Sequence, residues 1–535
     1  MFPPNTYRRN LSLLLPKLSL NASEGEAAMP YDQGATHGDP THYTPHESGA
    51  LRIADVRERS TTTNHTLNLK DKHLRYTATV GHLSALSTNP RNAAASLFYV
   101  DYVVEDTRRD RPVTFVFDGG PGYASIYLLL DSMGPVRIER SSTDGNEKSA
   151  FRLVDNRESL LEHTDLVFVD AIGTGYSQAI EPNTNRTFWN VDNDAQAFRD
   201  FVTRYLFVNG REHSPFYLYG NSYGAIRASV MANLLTEMGR MPTGLVLSSP
   251  ALDLGAISTF PSVVRNGGVD AEREQDFRKT YANFIPTYAA NAVFYGHVTR
   301  PASLKKYLRD DLIPYLVEQY DPALEIFLRA KERDRQPSAS IVGEAESVFP
   351  VEIVTTMKTF GVDLAEPGSN FNPAPSELYD KWKVGYTVER FDSRLNYPQG
   401  SQRDDEYDRF IAKIVMDYLQ NTLDYSSASP YVVHNNTIIR QWGFQRNSKR
   451  CVDVIPDLEM ALSRNPKMKI LSVVGYFDFA TPFYQTHLDL GRIDLKDNIK
   501  IREYEAGHGI YDGSESVRLQ IQADLTDFYL CEPSP

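Results

Sequence analysis

The sequence predicts an α/β fold in which a central, mostly parallel sheet carries helices on both faces. Three observations lead there. Short apolar runs at Val113–Phe117, 166–170, 216–219 and 245–247 are separated by helix-length segments, and strands buried on both faces read as unbroken apolar runs of this kind. The same pattern returns at 470–474 and 499–504 after a long stretch of different character. Between them, the run ending at Tyr219 breaks into Gly220-Asn221-Ser222-Tyr223-Gly224 and then a helical segment, a Gly-x-Ser-x-Gly turn at a strand-to-helix junction.

Taken in order, residues 1–50 are rich in Pro, Asn, Ser, Gly and His without periodicity and read as a poorly ordered leader. The apolar stretch 11–15 is cut short by Pro16 and Lys17, a poor signal-peptide core, so a cytoplasmic location is favoured over a secreted one. No run reaches the roughly 20 apolar residues of a membrane span. From Thr63 to Val104 short alternating segments predict antiparallel strands, opening the first part of the core at 51–253. Residues 254–446 turn to long amphipathic helical segments, for example 271–284 and 303–329, and are expected to form a helical lid inserted above the sheet. The charge run 403–406 reads as a solvated helix face. The core resumes over 447–535, ending in a helix with Val517, Ile521, Leu525 and Phe528 on one stripe.

Composition excludes several functions. The chain has 535 residues and a formal charge of −13, with no Lys/Arg cluster long enough to follow a phosphate backbone, so no nucleic-acid partner is expected. Its two cysteines, Cys451 and Cys531, form no disulfide framework and no zinc-ligand spacing; a single bridge between them stays open. His42 and His46 lie four apart in the leader with no supporting ligands nearby, and neither a metal nor a cofactor is assigned.

The chemistry centres on Ser222. A serine hydroxyl needs an imidazole to take its proton and a carboxylate to fix the imidazole tautomer. On a sheet of this kind the three follow in the order Ser, acid, His, each after a strand. Asp478 follows the strand ending at Gly475, and His508 follows the next strand between Gly507 and Gly509. Acyl transfer also needs backbone N–H groups aimed at the developing oxyanion. Consecutive Gly119 and Gly120, after the Val113–Phe117 strand, let the backbone approach a substrate carbonyl, and the N–H groups of Gly120 and Tyr223 form the expected oxyanion hole.

With these residues in place the chain resembles the serine carboxypeptidase-like family of α/β-hydrolases, whose landmarks run Asn-Gly-Gly-Pro-Gly, Gly-x-Gly-[Phe/Tyr]-Ser, Gly-Glu-Ser-Tyr and Gly-His-Met. The matching stretches are 118–122, 173–177, 220–223, 475–482 and Gly507-His508, with Gly134-Pro135 between the first two. The resemblance implies an α/β-hydrolase fold with a lid, and a peptide or small acyl substrate. The few cysteines and the Thr481-Pro482 after the acid resemble the family's bacterial branch. In family carboxypeptidases the Asn of the glycine loop and the Glu before the nucleophile grip the substrate's terminal carboxylate; here those positions hold Asp118 and Asn221, so acid and amide have traded places. An ionised Asp118 repels a carboxylate, so one proton must be shared and binding is expected to improve in mild acid. Gly509 stands where the family has Met, which is expected to remove a bulky wall of the pocket. The leading expectation is a hydrolase releasing a C-terminal residue through an acyl-enzyme. The alternatives are an esterase or acyltransferase with the same triad, or a non-catalytic binding protein on this scaffold. A homodimer is left open.

Overall fold

The computed structural model describes residues 31–33, 37–69, 72–86, 93–105, 110–140, 151–257, 271–334, 349–362, 386–398, 404–449 and 451–530. Its first strands are β1 (Tyr31–Gln33), β2 (His37–Asp39), β3 (Glu58–Asn68), β4 (His73–Leu86) and β5 (Ala93–Val104). The middle of the chain supplies β6 (Val113–Phe117), the hairpin β7 (Val136–Arg140) and β8 (Phe151–Asp155), β9 (Asp165–Val169), β10 (Gln178–Ala179), β11 (Phe216–Asn221) and β12 (Gly244–Ser248). A second hairpin, β13 (Tyr386–Val388) and β14 (Asn396–Pro398), and β15 (Tyr425–Ser427) precede the last two strands, β16 (Lys469–Gly475) and β17 (Ile499–Tyr504).

The main sheet runs β1-β3-β4-β5-β9-β6-β11-β12-β16-β17, with β10 beside β5. From β9 to β17 every neighbouring pair is parallel, whereas β3, β4, β5 and β9 pair antiparallel. All residues of β6, β9 and β12 are buried, as a sheet covered on both faces requires. One face is packed by α2 (Val191–Val208) and α3 (Tyr223–Glu237), the other by α1 (Ile126–Asp131) and the C-terminal helix Glu515–Leu530. That last helix buries Val517, Ile521, Leu525 and Phe528, the stripe read from the sequence, and adds Tyr529. This is the α/β-hydrolase fold. Asp118, Ser222, Asp478 and His508 all follow the C-terminal ends of parallel strands, the edge at which ligands bind in open α/β sheets.

Two regions differ from expectation. The supposed leader is packed from residue 37: β2 pairs with β15, and Asp39 accepts from Tyr43 Oη at 2.7 Å and Tyr425 Oη at 2.9 Å. Tyr43 stacks on His82 with ring centroids 5.0 Å apart, and Asn185 Nδ2 donates to the carbonyls of Thr44 and His46. Order here comes from side-chain bonds to residues far along the chain, which leave no periodic trace. Residues 1–30 and 34–36 lie outside the described residues. The expected lid also divides. Its helix Ala271–Phe294, the continuous helical run 304–334 and the helix Val351–Thr359 share a core of their own with Tyr476, Phe477 and Phe479 of the acid loop. Its later part, 404–446, instead sinks Ile411, Val415 and Tyr418 into one sheet face and Ile438, Trp442 and Phe444 into the other. The side chains of the charge run, and Cys531, are outside the described residues, while Cys451 is buried. Among the described residues no helix is long and apolar enough to cross a membrane.

Candidate active site

Ser222 caps the junction of β11 and α3 with φ 57° and ψ −122°, a strained conformation in which a non-glycine residue persists only when its surroundings hold it. The neighbouring glycines show why the turn has its sequence. A Cβ on Gly220 would strike the carbonyl of Gly224, and one on Gly224 would stand 2.5 Å from the carbonyl oxygen of Phe117. The glycine loop after β6 passes as closely: a Cβ on Gly119 would lie 2.7 Å from both Ser222 Cβ and the Tyr223 nitrogen. Gly120 takes φ 106°, a region that favours glycine. Gly119 thereby passes close against Ser222 and the start of α3.

Asp478 is fully buried, and His508 is 8% exposed. His508 Nδ1 lies 2.7 Å from Asp478 Oδ2, which assigns the Nδ1–H tautomer to the neutral ring and leaves Nε2 for the serine. The carboxylate is fixed in turn, because Oδ1 accepts the N–H groups of Ala480 at 2.7 Å and Thr481 at 3.0 Å. Thr481 Oγ1 stands 2.7 Å from Asp478 Oδ2, 2.9 Å from the Ser249 carbonyl and 3.2 Å from His508 Nδ1. Ser222 and His508 hang from consecutive residues at the end of β12: Ser222 N–H donates to the Ser248 carbonyl at 2.9 Å, and Ser249 Oγ donates to the His508 carbonyl at 2.8 Å. Of the three residues read from the sequence, Asp478 and His508 are bonded to each other, and Ser222 is held beside them through Ser248 and Ser249.

The exchanged pair also meets. Asn221 Nδ2 donates to Asp118 Oδ1 at 3.1 Å, and the Gly119 N–H donates to the same oxygen at 2.7 Å. Burial pushes the Asp118 carboxyl up; the bonds from Asn221 and Gly119 and the nearby His508 and Arg227 offset part of that rise. Behind it, Ser125 links two acids: its Oγ accepts from the Asp118 N–H at 3.2 Å, and its own N–H donates to Asp170 Oδ1 at 2.9 Å. Asp170, buried beneath the 173–177 turn and bonded to Tyr431 Oη at 2.7 Å, is pushed up to about 7, mainly by desolvation. At Gly509 a Cβ would meet the Asp512 carboxylate.

Four supporting elements were not read from the sequence. Thr481 and Ser249 brace the acid and the imidazole. Arg227, 1% exposed on α3, donates to Asp194 Oδ2 at 2.7 Å and to the Asp118 carbonyl at 2.7 Å, tying the helix behind the nucleophile to the glycine loop. The hairpin turn between β13 and β14 forms a strap across both catalytic loops. The Phe391 carbonyl accepts the His508 N–H at 2.6 Å, the Arg390 carbonyl accepts the Phe479 N–H at 3.1 Å, and Ser393 donates twice to the Phe477 carbonyl. Only Thr481, three residues after the acid in an Asx-type turn, carried a local signal.

Comparison with known proteins agrees with this geometry. Residues 71–255 match the profile described as serine carboxypeptidase. Serine carboxypeptidase-like 13 of Arabidopsis thaliana is 24% identical over 189 residues, 35% of this chain and 39% of that protein. The pheromone-processing carboxypeptidase KEX1 of Yarrowia lipolytica (strain CLIB 122 / E 150) is 30% identical over 131 residues, 24% of this chain and 20% of that protein. The chain thus spans well under half the length of these curated relatives. The crystal structure of Kex1(delta)p, a prohormone-processing carboxypeptidase from Saccharomyces cerevisiae, shares the fold over 85% of this chain and 91% of its own, with a TM-score of 0.50 and 14% identity. The segment that carries Asp118, Gly119 and Ser222 therefore matches the serine carboxypeptidase profile, and Asp478 and His508 lie beyond the matched residues.

Proposed function

We propose that the protein is a serine carboxypeptidase that releases the C-terminal residue of a peptide or peptide-like substrate. Ser222 attacks the scissile carbonyl as His508 takes its proton, the Gly120 and Tyr223 N–H groups stabilise the oxyanion, and Asp478 steadies the imidazolium. His508 then returns the proton to the leaving amine, and water releases the acyl group by the same route. The observation that carries the reading is the Asp118–Asn221 pair, bonded at 3.1 Å on the residue just before the nucleophile. A protonated carboxyl and an amide side by side offer the donors that a terminal carboxylate needs. Digestion of a peptide library read by mass spectrometry, with Ser222→Ala as blank, tests it: removal of single C-terminal residues is expected, and equal turnover of C-terminal amides at every pH would refute it. Fluorophosphonate labelling that vanishes in Ser222→Ala is expected alongside.

The exchange of acid and amide favours one other reading, an esterase or acyltransferase on the same triad. Robust turnover of neutral esters with no cleavage of free-carboxylate peptides would select it. Within the family we place the chain nearest the bacterial branch; Thr481-Pro482 and the two cysteines support this, whereas the relatives described above are from a plant and from yeasts.

A further inference from the structure

We propose that Phe391, supplied by the inserted region, is the specificity-determining wall for the departing C-terminal residue and selects apolar side chains there; this rests on the carboxypeptidase reading. Its ring lies 5.2 Å from the His508 ring, centroid to centroid, at an interplanar angle of 47°. Although it abuts a nearly buried imidazole, Phe391 is 46% exposed, one of the large apolar side chains that the protein leaves open to solvent.

The side of the scissile bond follows from the chemistry. An imidazole that protonates the leaving nitrogen must stand next to it, so a side chain lying against that imidazole is placed to border the departing residue. The terminal carboxylate of that residue is assigned to Asp118 and Asn221, which are bonded to each other at 3.1 Å.

The ring is held in advance. Its own carbonyl accepts the His508 N–H at 2.6 Å, and Asp392 Cβ fills the space where a Cβ on Gly507 would stand, 2.6 Å away. Ser393 anchors the next turn to the Phe477 carbonyl, and Tyr295 Oη donates to the Ser393 carbonyl at 2.7 Å. An apolar surface fixed before binding loses little side-chain freedom when a ligand covers it. With Gly509 offering no side chain, Phe391 gives the site an apolar wall from a different part of the chain.

The test compares kcat/KM for two peptides identical except for C-terminal Leu or Gly, in wild type, Phe391→Ala and Phe391→Leu. An apolar contact of this size is worth about tenfold in discrimination. The Leu-over-Gly ratio is expected to fall about tenfold in Phe391→Ala and to stay within about twofold of wild type in Phe391→Leu. If Phe391 merely braces His508, both peptides slow together and the ratio is unchanged, which overturns the proposal while the carboxypeptidase reading stands. A wild type that cleaves neither peptide overturns both.

Discussion

The exchanged pair makes Asp118→Asn the most informative substitution. The introduced carboxamide is isosteric with the carboxyl it replaces, and its carbonyl oxygen could still accept from Asn221 and from the Gly119 N–H, so the loop should keep its shape. In the wild type a substrate carboxylate gripped at this pair lies within roughly 4 Å of Asp118; at an effective dielectric of about 20, two like charges there repel by about 4 kcal/mol, a ceiling of about a thousandfold in binding. Below the Asp118 pKa the carboxyl is neutral and can donate. As pH rises through that pKa, kcat/KM for free-carboxylate peptides should fall by about one decade per unit until the ceiling is reached. Burial places the fall above the ordinary carboxyl value of 3.8. The stability sign is the same: a carboxyl raised in the native state favours folding fully below its unfolded pKa, and that contribution is lost as pH rises through the native value. Asp118→Asn should remove the fall. The assay is kcat/KM against pH for a peptide and its C-terminal amide. Superimposable peptide profiles for wild type and Asp118→Asn would refute the reasoning.

Other expectations test the supports of the site. Thr481→Val removes a hydroxyl bonded to the Asp478 carboxylate, and with bonds to charged groups worth about 1.5–3 kcal/mol, kcat should fall about tenfold or more at little change in KM, read by steady-state kinetics. Arg227→Met leaves the buried Asp194 carboxylate without its guanidinium and should cost about 3–5 kcal/mol, measured from urea unfolding midpoints. An unchanged midpoint would mean that Asp194 takes up a proton at negligible cost.

What the sequence made legible was whatever is encoded locally. Buried parallel strands announce themselves as apolar runs, and the turn around Ser222 needs its two glycines because carbonyls occupy the places of their missing Cβ atoms. Asp478 and His508 could be placed because the fold orders its catalytic residues along the chain. The packing of 37–50 and the strap at 389–395 could not. Each depends on partners far along the chain: Asp39 with Tyr425, Phe391 with His508, Asn185 with Thr44. Arg227 looked like any helical arginine, because nothing local reveals that Asp194 and the Asp118 carbonyl converge on it.

The strap has a consequence for modularity. In this molecule three backbone bonds, from His508, Phe479 and Ser393, stitch the cap to the very loops that present base and acid. Grafting another segment here, or trimming this one, would remove the carbonyl that holds the His508 N–H. Any exchange between homologues must carry the 389–395 turn together with the loops at 476–482 and 505–509 as one heritable unit.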